Sequence, residues 1–294
     1  MKNSAIEWTD HTFNAWIGCT KVSPGCANCY AESLDKRWGH DSLGLGQPRR
    51  RTSEAYWRQP LAWNKAAEKD YLSLAHSTAA GTPVPFTRPR VFCASLADWL
   101  DAEVETVWTS DLIDLIRRTP YLDWQLLTKR PQNWRNTMVE IRDTERGVVG
   151  QMAGWWLDGR PPANVWIGTT VEDQARADER IPHLLRIPAR VRFLSCEPLL
   201  GPVDLELITT ISRTYDTPEI KQERIHWVIC GGESGPKARP MHPAWARSLR
   251  DQCAAAGVPF FFKQWGEHNQ DGNRVGKHAA GSLIDGKEYK EFPA

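Results

Sequence analysis

The chain is predicted to fold as an α/β protein whose parallel strands curl into a closed or partial (βα)6–7 barrel. Short apolar runs rich in β-branched and aromatic residues recur at 90–94, 124–127, 165–168, 191–194, 226–230 and 259–262. They are nearly continuous in hydrophobicity, as expected of parallel strands buried on both faces. Helical periodicities lie between them. Polar or small residues follow each run at once, as at the mouth of a barrel.

A first strand is placed within residues 6–17. Val104, Val107, Trp108, Leu112, Leu115 and Ile116 form an i, i+3/i+4 stripe. The segment 243–256 puts Trp245, Leu249 and Cys253 on one face, with Pro243 suited to the first turn and Gly257 to the C-cap. Segments 31–38 and 172–185 read as further helices, the second expected to break at Pro182. An open doubly wound sheet is the alternative arrangement. One domain is assigned to residues 1–266. The Gly/Arg-rich stretch 39–58 and the Ala/Thr/Pro-rich stretch 74–89 are expected to be surface insertions. The polar, Gly-rich stretch 267–294 is expected to be a loosely packed tail.

Composition is that of a globular protein, with 41% hydrophobic and 25% charged residues. The net charge of +1 gives no global basic field, so a nucleic-acid partner would need a local patch. The opening MKNSAIEWTD has no apolar run, and no stretch approaches the roughly 20 apolar residues that span a bilayer. A cytoplasmic location without membrane association is therefore expected. Thiols stay reduced there, so clustered cysteines read as metal-binding or catalytic. Fifteen tryptophans either fill cores or stack on ligands.

The residues after the strands could converge on one mouth. They include Asp98, Thr128, Lys129, Arg130, Thr169, Glu172, Glu197, Glu233, Lys263 and Gln264. Glu197, Lys129 and Arg130 are the catalytic candidates, because an unpaired charge beside a barrel interior is expensive. Thr169 is a candidate cofactor contact, with helix capping as its competing role. Gly231, Gly232, Glu233 and Ser234 form a Gly-Gly turn with a carboxylate, able to approach a ligand's amino group or simply to turn the chain. Arg49, Arg50 and Arg51, with Tyr56 and Trp57, interleave cations and aromatics as a candidate nucleic-acid patch. A solvated basic loop is the alternative.

Cys19, Cys26 and Cys29 carry the strongest signal. Cys-x2-Cys lets two sulfurs reach one centre, and the Pro24-Gly25 turn returns Cys19 to them. Three ligands suit a [4Fe–4S] cluster with one open iron. Zinc is the alternative, with a fourth ligand from His11, Cys196 or Cys230.

The stretches WTDHTFNAWIGCTKVSPGCANCYAE, LLTKRP, WIGTTVE, FLSCEPLLG, WVICGGESGPKARPM and FFFKQWG resemble an uncharacterised phage-associated family of unknown domain function. Its members are often encoded beside a three-Cys-motif partner protein, which the resemblance implies as a partner here. Its architecture is similar to that of radical S-adenosylmethionine enzymes. That resemblance implies a partial (βα)6 barrel with the cluster in the loop after the first strand. The open iron would chelate the amino and carboxylate groups of S-adenosylmethionine, and a 5′-deoxyadenosyl radical would abstract hydrogen from a substrate. The superfamily spacing is Cys-x3-Cys-x2-Cys; here it is Cys-x6-Cys-x2-Cys. The expected substrate is a nucleic acid or nucleotide undergoing modification or repair. A zinc-bearing nucleic-acid-binding protein and a metal-dependent hydrolase or nuclease are the alternatives.

Overall fold

Alternation along the strands divides the hydrophobic residues into two cores. The structure is a computed structural model and describes residues 4–78, 86–205 and 224–293. Its strands are β1 (His11–Thr12), β2 (Trp16–Ile17), β3 (Arg50–Arg51), β4 (Arg90–Cys93), β5 (Asp123–Thr128), β6 (Val165–Thr170), β7 (Val191–Cys196), β8 (Trp227–Gly231) and β9 (Phe260–Gln264). Seven of them pair in the order β1-β4-β5-β6-β7-β8-β9, every pair parallel. The order follows the chain from edge to edge. It lacks the reversal that defines a doubly wound sheet. The sheet curls into a half-barrel whose edges, β1 and β9, are not joined. β2 and β3 form a separate antiparallel ribbon.

Successive side chains on a strand point to opposite faces. Phe92, Trp166, Phe193, Trp227, Ile229 and Phe261 pack with Trp8 in the inner core. Val91, Trp124, Leu126, Ile167, Leu194, Val228 and Phe262 join the outer core. Each such burial is worth about 1.5–3 kcal/mol. The tryptophans are mostly core residues. Trp16, Trp63, Trp99, Trp124, Trp134, Trp156 and Trp265 lie in the outer core, and Trp8, Trp166 and Trp227 in the inner one. Gly168 leaves the room that the Phe193 ring occupies, since a Cβ there would overlap the ring.

The helices are α1 (Tyr30–Arg37), α2 (Glu54–Trp57), α3 (Gln59–Thr78), α4 (Thr106–Arg117), α5 (Trp134–Thr144), α6 (Val148–Leu157), α7 (Gln174–Leu185), α8 (Pro243–Ala256) and α9 (Lys277–Ala280). α8 has the expected bounds, with Pro243 in the first turn and Gly257 left-handed at φ +65°. The expected break at Pro182 does not occur: α7 continues through it to Leu185. The proline falls in the last turn, and Ile181, Leu184 and Leu185 around it are buried. Asp173 caps the helix, accepting a hydrogen bond from the Arg176 N–H at 3.0 Å.

Residues 39–58 are mostly exposed, but the segment is anchored: Ser42, Leu43 and Arg49 are buried, β3 pairs with β2, and α2 packs on the outer core. The insertion expected at 74–89 lies partly outside the described residues. Its described ends are the last turn of α3 and Phe86, whose ring packs edge-on against Tyr71. The tail is also more closely held than its composition suggested. Ile284 is fully buried, and Phe292 packs on Trp227 and Phe261, with the Arg90 guanidinium 4.0 Å above its ring. Lys290 pairs with Glu7, tying the tail to the N-terminal segment. Among the described residues no helix is long and apolar enough to cross a membrane.

Two predictions follow from this packing. Gly168→Ala should cost about 1–3 kcal/mol by overpacking the inner core, and adding Phe193→Leu should recover part of it, both measured by denaturant unfolding. The second concerns His226, whose Nδ1 accepts the Arg192 N–H at 3.0 Å. Burial, then the Arg192 and Arg224 charges, pull its pKa down from 6.5 to about 4. The folded state therefore favours neutral His226. Its contribution is present above pH 6.5 and is lost as pH falls toward 4. Unfolding midpoints against pH should show that loss in the wild type and less of it in His226→Gln.

Candidate functional site

The cysteine loop leaves β2 and arches across the carboxyl ends of the sheet strands. It starts at Gly18, whose φ of +113° suits glycine and where a Cβ would strike the Ser42 carbonyl. The Gly18 N–H donates to the Leu96 carbonyl beyond β4 at 3.0 Å. Arg130, beyond β5, donates to the Thr20 carbonyl at 2.5 Å. Beyond β6, Glu172 accepts the Ser23 hydroxyl and the Gly25 N–H, the latter at 3.3 Å. Beyond β8, Glu233 accepts the Asn28 amide at 3.1 Å, and Arg239 donates to the Pro24 carbonyl at 3.0 Å. The six residues between Cys19 and Cys26 thus carry the loop from the Arg130 anchor to Glu172. Cys29 is the N-cap of α1.

Each anchoring carboxylate has its own arginine. Glu172 and Arg180 are both buried and paired at 2.8 Å. Glu233 pairs with Arg239 at 2.7 Å. Its pKa stays below the usual carboxylate range: burial pushes it up, but hydrogen bonds from Arg239 and Asn28 outweigh that. The loop's first turn is fixed by Arg49, which pairs with Asp101 at 2.9 Å and donates to the Thr20 hydroxyl at 2.7 Å.

A cavity of about 550 Å³ opens under the loop. Cys19, Cys26 and Cys29 line it, together with Trp8, Asp98, Lys129, Arg130, Thr170, Glu197, Gly232, Glu233, Ser234, Lys263 and Gln264. The convergence expected of the strand ends is therefore present for most candidates. Glu197 faces Lys263 across 3.0 Å. The Lys263 ammonium therefore compensates the buried Glu197 Oε1 as an ion pair. Gly231 sits just behind it, where a Cβ would lie 2.6 Å from Glu197 Oε1.

Other candidates sit elsewhere. Thr169 does not line the cavity; its hydroxyl donates to the Thr128 carbonyl at 2.8 Å, a bond within the sheet. Arg130 lines the cavity, but its guanidinium is bound to Asp98 at 2.8 Å and to the loop. Glu233 is engaged by Arg239 and Asn28. The side chains of the expected nucleic-acid patch have partners within the protein. Arg49 is buried on Asp101, Arg50 pairs with Asp35 at 2.7 Å, and Arg51 pairs with Asp111 at 2.8 Å while lying over Trp57. Tyr56 stacks on Phe13 at 5.2 Å and Trp57 meets the same ring edge-on. These side chains hold the segment to the barrel.

The cysteines separate into two sets. Cys93, Cys196, Cys230 and Cys253 are buried in the outer core. Cys196 and Cys230, proposed as fourth ligands, thus lie in the helix-facing layer, and His11 stacks on Trp63 at 4.4 Å. Burial, then Asp98 and Cys29, push the Cys19 thiol up to about 12, so an adjoining cation is what would hold it as a thiolate. Zinc needs its sulfurs about 2.3 Å from one point. Among the described residues no group of three or more His, Cys, Asp or Glu converges to hold a metal ion. By donor chemistry, Cys19, Cys26 and Cys29 are the residues that would hold an iron–sulfur cluster.

Sequence reasoning did not single out Ser23, Asn28, Arg180 or Arg239 as supports of the loop. Arg180 left a signal: it shares a face with Ala177, Ile181 and Leu184 on α7, and a lone arginine in an apolar stripe needs a buried partner.

Fold and site together define a parallel α/β half-barrel protein with a three-cysteine loop spanning its carboxyl-end mouth. Residues 3–293 match the model of a family described as a protein of unknown function, DUF5131, and the chain belongs to that family. No curated protein and no solved structure matches the chain.

Glu172→Ala would leave the buried Arg180 without its counter-charge. It should destabilise the fold by about 3–5 kcal/mol in denaturant unfolding. Glu233→Ala, at a more exposed pair, should cost less, while limited proteolysis should show faster cleavage within residues 20–28 in both variants.

Proposed function

We propose that this protein is an iron–sulfur enzyme of the radical S-adenosylmethionine kind, acting on a nucleotide or nucleic acid. One observation carries the reading. Three cysteines line one cavity, and the remaining four are withdrawn into the outer core. The cavity falls in the range of ligand pockets, about 300–1,000 Å³. When bound, the cluster supplies one electron at its open iron, and S-adenosylmethionine supplies the bond that the electron cleaves.

The chain's own residues do the positioning. Cys19, Cys26 and Cys29 would hold three irons. Glu172, Glu233 and Arg130 hold the loop that carries them. Glu197, with Lys263 beside it, presents a carboxylate to the cavity and can accept a hydrogen bond from an amino or hydroxyl group. The loop covers the mouth and limits water, which protects reactive species. The resemblance to radical S-adenosylmethionine enzymes and to a phage-associated family supports the reaction and the substrate class.

Anaerobic reconstitution followed by iron and sulfide quantification tests the cluster. Wild type and Cys253→Ala should take up both. Cys19→Ala, Cys26→Ala and Cys29→Ala should each lose them. Stoichiometric zinc without sulfide would instead support the structural-zinc alternative. Calorimetry on cluster-bearing protein should detect S-adenosylmethionine binding that weakens in Glu197→Ala. An absence of binding in the wild type removes the radical assignment.

A further inference from the structure

The charges around the cavity do not cancel. Asp98 pairs with Arg130, Glu197 with Lys263 and Glu233 with Arg239. Two lining lysines remain, Lys277 on the exposed rim and Lys129 further in, half-buried beyond β5. Among the described residues the Lys129 ammonium has no ion pair or hydrogen bond. The Asp98 carboxylate, which binds the Lys129 backbone, is saturated. Asp98 already accepts the Arg130 guanidinium at 2.8 Å, the Thr128 hydroxyl at 2.6 Å, the Lys129 backbone N–H at 2.9 Å and the Leu100 N–H at 3.1 Å. Four donors fill a carboxylate's lone-pair sites. The same bonds fix the Lys129 backbone, so the ammonium is presented from a rigid base.

One further polar atom of the lining, the Thr170 hydroxyl, is buried without a hydrogen-bond partner among the described residues. Buried polar groups are normally satisfied, and an orphan in a cavity wall points to an absent ligand. The cavity thus offers a cation for one anionic group, with a hydroxyl for an uncharged hydrogen-bonding part. A polynucleotide strand would need a basic track and open aromatic faces, and Arg49, Arg50, Arg51, Tyr56 and Trp57 are committed internally.

We infer that the cavity binds a small phosphate monoester, a mononucleotide rather than a strand, with Lys129 on the phosphate and Thr170 on the nucleoside part. This deepens the function proposed above and rests on this cavity being the reaction site.

The test compares each nucleoside 5′-monophosphate with its own nucleoside by calorimetry. It is run on both as-purified and reconstituted protein, so a failure of the cluster reading leaves the comparison intact. At least one monophosphate should bind about tenfold more tightly than its nucleoside, the gain expected of one charge-assisted contact. Lys129→Met should erase that ratio, Lys129→Arg should retain it, and Lys277→Met should leave most of it. Thr170→Val should weaken the monophosphate and its nucleoside by the same factor. Equal affinity within every pair overturns the inference, as does an unchanged ratio in Lys129→Met or no binding of any monophosphate. Affinity that rises with the length of a single-stranded oligonucleotide overturns it in favour of a strand substrate.

Discussion

A charge placed in the interior organises this molecule. Glu172 lies beyond β6 with no exposed surface, and desolvating a carboxylate there is affordable only because Arg180 meets it from α7 and the cysteine loop supplies two more donors. Sheet, helix and loop therefore converge on one carboxylate. Removing any of the three leaves a buried polar group without a partner. The loop has no regular structure beyond a short turn at Pro24–Cys26. It nevertheless has a defined path, because polar satisfaction fixes it where secondary structure does not.

The two loop anchors differ in setting. The Glu172–Arg180 pair is closed off from solvent, whereas the Arg239 side chain of the second pair is 36% exposed. The first is nearly insensitive to salt, and the second is screened by it. The half of the loop carrying Cys19 is further secured by Arg49 and Arg130. The half carrying Cys29 depends on the more solvated anchor. Local looseness, where it exists, is therefore set toward the α1 side of the mouth.

The sheet was legible in the sequence because each strand is a short apolar run ended by polar residues, and parallel strands leave no other pattern. The cysteine motif was legible for a similar reason, since its spacing is local. What escaped was non-local pairing. Arg49, Arg50 and Arg51 look like a basic patch when read in a line, and only the fold brings Asp101, Asp35 and Asp111 to them. Likewise 39–58 is rich in Gly and Arg, as a loop would be, yet its arginines are what tie it down. Glu233 was recognised as a mouth residue, but its commitment to Asn28 and Arg239 depends on where the loop crosses. The tail misled through composition: a few aromatic and aliphatic side chains, Ile284 and Phe292 among them, are enough to seat a polar segment.

The pleat of the sheet also sorts the thiols. Cys93, Cys196 and Cys230 occupy outward positions on β4, β7 and β8, and Cys253 faces them from α8, so the outer core holds all four. An iron source that meets the chain before the sheet forms encounters seven competing sulfurs. One that arrives afterwards finds only the three on the loop. On the proposed iron–sulfur reading, ligand choice would pass from sequence spacing to the order of assembly, and late delivery of iron would be the condition for loading the loop.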